Sequence, residues 1–238
     1  MESLQNKKAL VTGGSRGLGK AIALALASEG VHVVITGRDE VKLSETVQEI
    51  EITGVKADYA IFDVSNEEEV KESITKVIKD FGTVDILINN AGIGEFGGFL
   101  DLSIERFEKI IQTNLFGPYY IMKNVLPAMV EQKSGDVVNV ASTAGLKGGP
   151  MTSAYTASKA GLIGLSESVM YEMRKHNIRV CTLTPSTIAT DMSKDLNLTD
   201  GNPEKVLQPE DFAELVIAQL KLNKRALMTT ASLFSTNP

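Results

Sequence analysis

Cysteine, histidine, long apolar runs and excess positive charge are all scarce in this chain. Cys181 is the only cysteine among 238 residues, so an internal disulfide is excluded. Its place in the apolar run IRVCTLTP predicts a buried strand thiol rather than a nucleophile or a ligand. The two histidines, His32 and His176, lie far apart with no cysteines clustered near them, and no metal site is expected. The longest purely apolar run, AIALALA at 21–27, is much too short to span a bilayer. The first residues, MESLQNKK, lack the apolar core of a secretion signal. Lys and Arg together number 24 against 30 Asp and Glu, and no dense basic cluster appears, so neither nucleic acid nor membrane is an expected partner. The expected location is the cytoplasm.

What is present is an ordinary globular composition, and the chain is long enough to bury one sizeable core. Short β-branched runs alternate with longer helical patterns. Strands are predicted at 8–13, 31–36, 56–64, 84–90, 135–142 and 178–185, and helices at 17–29, 39–53, 66–80, 103–131 and 153–175. Strands apolar throughout and separated by helices indicate a parallel sheet covered on both faces. With right-handed crossovers this is an α/β, doubly wound (Rossmann) sheet, read as a single domain over 1–238 because no linker or internal repeat interrupts it. Ligands in such sheets bind beyond the carboxyl ends of the strands, where this sequence places TGGSRG, TGR, DVS, NNAG, AST and TPST.

Two stretches carry chemistry. Gly13-Gly14-Ser15-Arg16-Gly17-Leu18-Gly19 joins the first strand to the first helix. Glycine at 13 permits a tight turn, and glycines at 17 and 19 let backbone approach a pyrophosphate at the helix amino terminus. Further on, Tyr155 and Lys159 stand four apart in YTASK, so on a helix they share one face. A tyrosine needs its pKa lowered by roughly three units, about 4 kcal/mol, to act as a base near neutrality. One ammonium ~4 Å away at an effective dielectric near 20 supplies about that much, so Lys159 is expected to favour the phenolate.

The glycine spacing, NNAG at 89–92, Ser142 and YTASK, in this order over about residues 7–190, resemble the classical short-chain dehydrogenase/reductase family, and in particular its 3-oxoacyl-(acyl-carrier-protein) reductases. The resemblance implies a catalytic tetrad of Asn114, Ser142, Tyr155 and Lys159. It also implies that Asp63 and Val64 border the adenine, that Asn90, Ala91 and Gly92 border the adenosine ribose, and that Pro185, Ile188 and Thr190 border the nicotinamide. Tyr155 and Lys159 would also touch the cofactor. Gly37 falls where NAD-dependent relatives place an acid, and Arg38 follows at once. Arg38 and Arg16 could together grip a 2′-phosphate, which makes NADP(H) the expected cofactor. Asp39, the competing acid, reads as the cap of the next helix.

The implied activity is NADPH-dependent reduction of 3-oxoacyl thioesters. Reduction of small ketones or diketones is the alternative, and a nucleotide-sensing protein on the same fold, which would not need the tetrad, is a further one. Two departures bear on this. Ser186 follows Pro185 where relatives have glycine, and no glycine follows Gly201, where carrier-protein reductases have a Gly-Gly signature that builds a tetramer contact. Residues 187–207 fall where relatives carry a substrate lid. Lys133, Arg174 and Lys175 are candidate contacts for an acyl carrier protein. A homodimer or homotetramer is expected, because small residues at 154, 157, 160, 161 and 164 permit close helix approach.

Overall fold

A computed structural model describes residues 1–199, 202 and 204–236. Seven strands form one parallel sheet: β1 (Lys8–Thr12), β2 (His32–Gly37), β3 (Ala57–Ile61), β4 (Ile86–Asn89), β5 (Gly135–Val140), β6 (Ile178–Pro185) and β7 (Thr230–Leu233). Their order is β3-β2-β1-β4-β5-β6-β7, which reverses direction between β1 and β4 and makes that point the crevice of a Rossmann-like sheet. The predicted doubly wound architecture is what the chain adopts.

Strand residues alternate between two cores, as a period of two requires. Ala9, Val11, Val33, Ile35, Ile86 and Ile88 pack against Ile22 and Leu26 of α1 (Gly17–Ser28) and against Phe212 and Val216 of α8 (Pro209–Leu220). Leu10, Val34, Leu87, Val137 and Val180 face the other way, toward Val70 and Ile74 of α3 (Glu67–Phe81), Ile121 and Val125 of α5 (Gly117–Gln132) and Met170 of α6 (Ser153–Met173). Capping side chains start several helices. Asp39 accepts from Lys42 N ahead of α2 (Glu40–Glu51), Asn66 caps α3, and Ser103 caps α4 (Ile104–Ile111).

Two expectations change. The helix predicted over 103–131 is not continuous: after α4 the chain widens into a π-helical segment, Gln112–Phe116, before α5 resumes at Gly117. The widened turn lies just ahead of the Gly117-Pro118 pair. Strand β7, with the sequence TASL, was absent from the strands read from sequence and extends the sheet beside β6. Within the expected lid at 187–207, Thr190 and Ser193 form a reciprocal cap on the short helix α7 (Asp191–Asp195), and Ile188 bridges to Leu207. Residues 200, 201 and 203 of that stretch lie outside the described residues. Among the described residues no helix is long and apolar enough to cross a membrane.

Candidate active site

The carboxyl edge of the sheet gathers the sequence-predicted residues. At β1 the chain turns with Gly13 at φ +68° and Gly17 at φ +53°, conformations that side chains disfavour. A methyl group on Gly19 would lie 2.2 Å from the Gly13 carbonyl oxygen, so residue 19 must be bare for α1 to begin this close to the turn. The neighbouring loop is tied to the same turn. Thr12 Oγ1 accepts from the backbone of Asn90 and Ala91, both at 3.0 Å, and Asn90 Nδ2 donates to the Thr12 carbonyl at 3.0 Å. Asn90 thus braces the two loops against each other.

Helix α1 begins without a side-chain cap and without an acid in its first turn. Its unpaired backbone N–H groups and positive dipole end are left for an anion. Arg16 and Arg38 flank this point with side chains 64% and 66% exposed, paired loosely with Asp191 at 3.7 Å and Asp63 at 3.4 Å. Asp39 turns away as the cap of α2, as expected. The residues present therefore fit the phosphates of a dinucleotide. Asp63 is shaped by opposing influences: burial raises its carboxyl, but hydrogen bonds from Ser65 and the Arg38 charge outweigh it and hold it below the ordinary value. Val64 is buried against Gly117.

The tetrad candidates come together. Ser142 ends the β5 segment and its Oγ accepts from Ala144 N at 3.2 Å, fixing the hydroxyl at the start of a single 3-10 turn, Thr143–Gly145. The Ser142 side chain lies beside the Tyr155 phenol and acts to lower its pKa. Lys159 lies one turn beyond Tyr155 on α6, 5% exposed, with Nζ donating to the Val140 carbonyl at 2.9 Å. Asn114 is fully buried in the π segment; its amide donates to the Ile93 carbonyl at 2.9 Å and to Ser158 Oγ at 3.1 Å, and accepts from Ile93 N at 2.8 Å. A widened turn is what swings this side chain out of helical register toward the loop after β4, and π segments recur at functional sites. Gly92 leaves room beside the pair: a methyl group there would sit 3.2 Å from Asn114 Oδ1 and 3.6 Å from Lys159 Nζ.

One electrostatic expectation is corrected. Burial raises the Tyr155 phenol, and the neighbouring Ser142 side chain offsets this only in part. Lys159 Nζ stands 5.8 Å from the ring centre, and burial lowers its own pKa to about 8. The tyrosine is held neutral rather than poised as an anion.

Beyond the strand ends, Ile188 is buried and Thr190 lies beside Gly17, so the connection after Pro185 crosses in front of the glycine turn. Ser186 N donates to the Leu233 carbonyl at 2.8 Å, joining the turn after β6 to β7. A cleft of about 340 Å³ opens here between the connection and the carboxyl-terminal segment. A smaller hollow of about 220 Å³, lined by Phe99, Leu102, Ile104, Phe107 and Ser153, adjoins the first turn of α6. Phe96 meets the Tyr155 ring edge-on at 5.8 Å between centres, a contact that sequence reasoning did not find. Lys133, Arg174 and Lys175 end up at the opposite edge of the sheet, because each ends a helical stretch just before a strand begins.

The sheet, its switch point and the glycine turn define a dinucleotide-binding α/β protein. The short chain dehydrogenase family model matches residues 7–201, and the chain belongs to that family of oxidoreductases. It is 39% identical over 195 residues to a 3-oxoacyl-[acyl-carrier-protein] reductase of Chlamydia muridarum, covering 82% of this chain and 79% of that one. An alcohol dehydrogenase from the archaeon Thermococcus sibiricus, solved with 5-hydroxy-NADP, superposes with a TM-score of 0.91 at 30% identity, covering 98% of each chain. An NAD⁺-bound xylitol dehydrogenase superposes with a TM-score of 0.90 at 26% identity, covering 98% of this chain and 99% of that one.

Proposed function

We propose that this chain is an NADPH-dependent carbonyl reductase that converts 3-oxoacyl thioesters to 3-hydroxyacyl thioesters. The observation that carries the reading is the grouping of Ser142, Tyr155 and Lys159, with Ser142 beside a phenol that burial keeps neutral and Lys159 Nζ 5.8 Å from the Tyr155 ring centre, one turn away on the same helix. A bound reduced nicotinamide supplies a hydride to the carbonyl carbon. The carbonyl oxygen then needs a proton, and Tyr155, neutral and half-buried, is the donor. Ser142 donates a second hydrogen bond to the same oxygen as negative charge develops on it. Lys159, anchored on Val140, lies on the path by which Tyr155 is reprotonated. Asn114 holds the loop at Ile93 in place over this group and is a member of the tetrad by position.

The phosphorylated cofactor is favoured by the two exposed guanidinium groups beside the α1 amino terminus and by the engagement of Asp39 in capping. Gly13, Ser15, Arg16, Gly17, Leu18 and Gly19 would cradle the pyrophosphate, with Asp63, Val64 and Asn90–Gly92 toward adenosine and Pro185, Ile188 and Thr190 toward nicotinamide. The thioester is favoured by the identity to the chlamydial reductase across most of the chain. Reduction of small ketones or diketones is the second reading, favoured by a carboxyl-terminal segment without glycine after Gly201. Following NADPH absorbance with acetoacetyl-CoA, ethyl acetoacetate and a diketone panel separates the two. The thioester should be turned over most efficiently, and a diketone used at least tenfold better would establish the second reading.

A further inference from the structure

Helix α6 carries both Tyr155 and Lys159, so whatever fixes its rotation on the sheet decides where they stand. Its buried face is Ala154, Ser158, Lys159, Leu162, Ser166 and Met170, in which Leu162 and Met170 are the large apolar side chains. Hydrophobic contact is non-directional and lets such a helix turn or slide, whereas hydrogen bonds give it one register. Side-chain anchors at Ser158, Lys159 and Ser166 do so. Asn114 donates to Ser158 Oγ, and Lys159 donates to the Val140 carbonyl, so these two anchors belong to the tetrad itself. The third lies outside it. Asn139 Nδ2, on β5, donates to Ser166 Oγ at 2.8 Å, and Ser166 Oγ donates to the Leu162 carbonyl at 2.6 Å. Asn89 Nδ2, at the end of β4, donates to Asn139 Oδ1 at 2.8 Å. Asn89, Asn139 and Ser166 are all buried, which shuts water out of this seam.

We propose that Asn139 is a positioning residue for Lys159 and Tyr155, holding α6 in rotational register through Ser166. This rests on the tetrad reading above. Ser166 lies seven residues beyond Lys159 and eleven beyond Tyr155, close to whole numbers of 3.6-residue turns. One stripe of the helix therefore carries all three, with the anchor about 10 Å further along the axis than Lys159. Reprotonation of Tyr155 asks Lys159 to give up and regain a proton, and a hold that relied on its ammonium alone would weaken with each loss of charge. The amide at 139 does not titrate. Asn89 settles the direction of that amide: with Oδ1 engaged as an acceptor, Nδ2 is the atom left to face Ser166. Any rotation of α6 would leave this amide proton unpaired and away from water, so the seam specifies one arrangement. It also ties the helix to β4 at the residue before Asn90, which braces the glycine turn.

Ser166→Ala carries the test, because it removes the acceptor, suits a helix and leaves Asn139 and the whole tetrad in place. The first readout is the titration of Lys159 in the full chain, followed by NMR of lysine labelled with ¹³C at Cε. The wild-type midpoint is expected near pH 8, where burial puts it. A loosened α6 admits water, so in Ser166→Ala the midpoint should rise toward 10.5 by about half a pH unit or more. The second readout is kcat on whichever carbonyl compound of the panel above is reduced best. It should fall by about fivefold or more, while the NADPH Kd stays within about twofold, as misplacement of reacting groups requires. Asn139→Leu should have the same two effects, and combining it with Ser166→Ala should add less than about twofold, since both break one link. Ser168 is the control: it makes the same bond to the carbonyl four residues back, at 3.1 Å, but from the exposed face. Ser168→Ala should leave midpoint and kcat as they are. A folded Ser166→Ala protein with the wild-type midpoint overturns the proposal, even if its melting temperature is lower, because a purely structural role predicts that result. In an active enzyme, a moved midpoint with unchanged kcat overturns it too. If no carbonyl compound is reduced, the proposed function fails, and the lysine titration, which needs no substrate, still decides whether Asn139 positions Lys159.

Discussion

Lys159 is anchored on Val140, its Nζ donating to that carbonyl at 2.9 Å from one turn beyond Tyr155. A strand end and a helix are thus joined by a buried ammonium whose nitrogen stands 5.8 Å from the centre of the tyrosine ring. Burial lowers the Lys159 pKa to about 8, against 10.5 for the free side chain. A lowered folded-state value means that the unfolded chain binds more protons between these limits, so this group's contribution to stability rises with pH from about 8 to 10.5. Activity should move the other way in the reducing direction. Reductive kcat/KM should be level between pH 6 and 7.5 and should fall above about pH 8, as Lys159 loses its proton. In Lys159→Met that limb should be missing from the profile. Steady-state rates with NADPH across pH 6–10 check both.

Tyr155→Phe removes the proton donor and keeps the ring that meets Phe96. Turnover should fall by roughly 10²–10⁴, the usual share of general acid catalysis, while NADPH affinity by fluorescence titration should stay within about twofold. More than a third of wild-type turnover in this variant would remove Tyr155 from the mechanism.

Arg38→Gln tests cofactor choice. The side chain is open to solvent and its Asp63 contact is long, so removing it should cost the fold little. NADPH binding should weaken by about 1.5–3 kcal/mol, the range for a hydrogen bond to a charged group, and NADH binding should hardly move. A wild-type preference for NADH would reverse the assignment.

Assembly has its own signature on α6. Some of the small residues noted in the sequence serve the chain's own packing: a methyl group on Gly161 would come within 2.9 Å of Leu115. Ala157, Ala160 and Gly164 remain exposed, as do Phe116 and Tyr119. Light scattering should give at least twice the 25.6 kDa chain mass, and Ala160→Arg should lower it to that of the single chain. A wild-type monomer at micromolar concentration would refute this.

How far the sequence revealed the fold depended on burial. The five strands inside the sheet are mostly buried apolar runs and were legible, as were the edge strand β3, ADYAI, which is only partly buried, and the glycine turn that must follow the first. Strand β7 was not, because TASL at an edge has little apolar character to report; its partner β6 and the segment from Leu220 to Ala226 position it. The π segment was not legible either. A single widened turn leaves the apolar pattern of 103–131 nearly intact, and only the Gly117-Pro118 pair hinted at it. Tyr155 and Lys159 were paired correctly by helical spacing, but the sign of the tyrosine shift depended on burial, which spacing does not report. The candidate carrier contacts are a different case: in a parallel sheet a residue that ends a helix just before a strand lies at the amino edge, so topology alone puts Lys133, Arg174 and Lys175 at the edge opposite the candidate site.

Asp136 was read as part of an apolar strand, yet it is a fully buried carboxylate. Arg179 Nε donates to its Oδ1 at 2.5 Å and Lys224 Nζ to its Oδ2 at 2.7 Å. The Arg179 guanidinium also donates to the carbonyls of Leu220, Leu222 and Ala226. One buried carboxylate with two cationic partners thus ties β5 and β6 to the turn between α8 and β7, at the edge of the sheet remote from the candidate site. Taking two charges out of water is expensive, so the pair itself adds little net stability, but losing one member strands the other. Asp136→Ala should therefore cost about 3–5 kcal/mol in denaturant unfolding. Replacing both partners, Asp136→Leu with Arg179→Met, should recover much of that loss, since no buried charge remains unpaired. NADPH affinity of the folded single variant should stay within about twofold, because the cluster lies at the far end of the strands. If the double variant proves as unstable as the sum of the two single variants, Arg179 acts chiefly through its three carbonyl contacts and the ion pair is incidental.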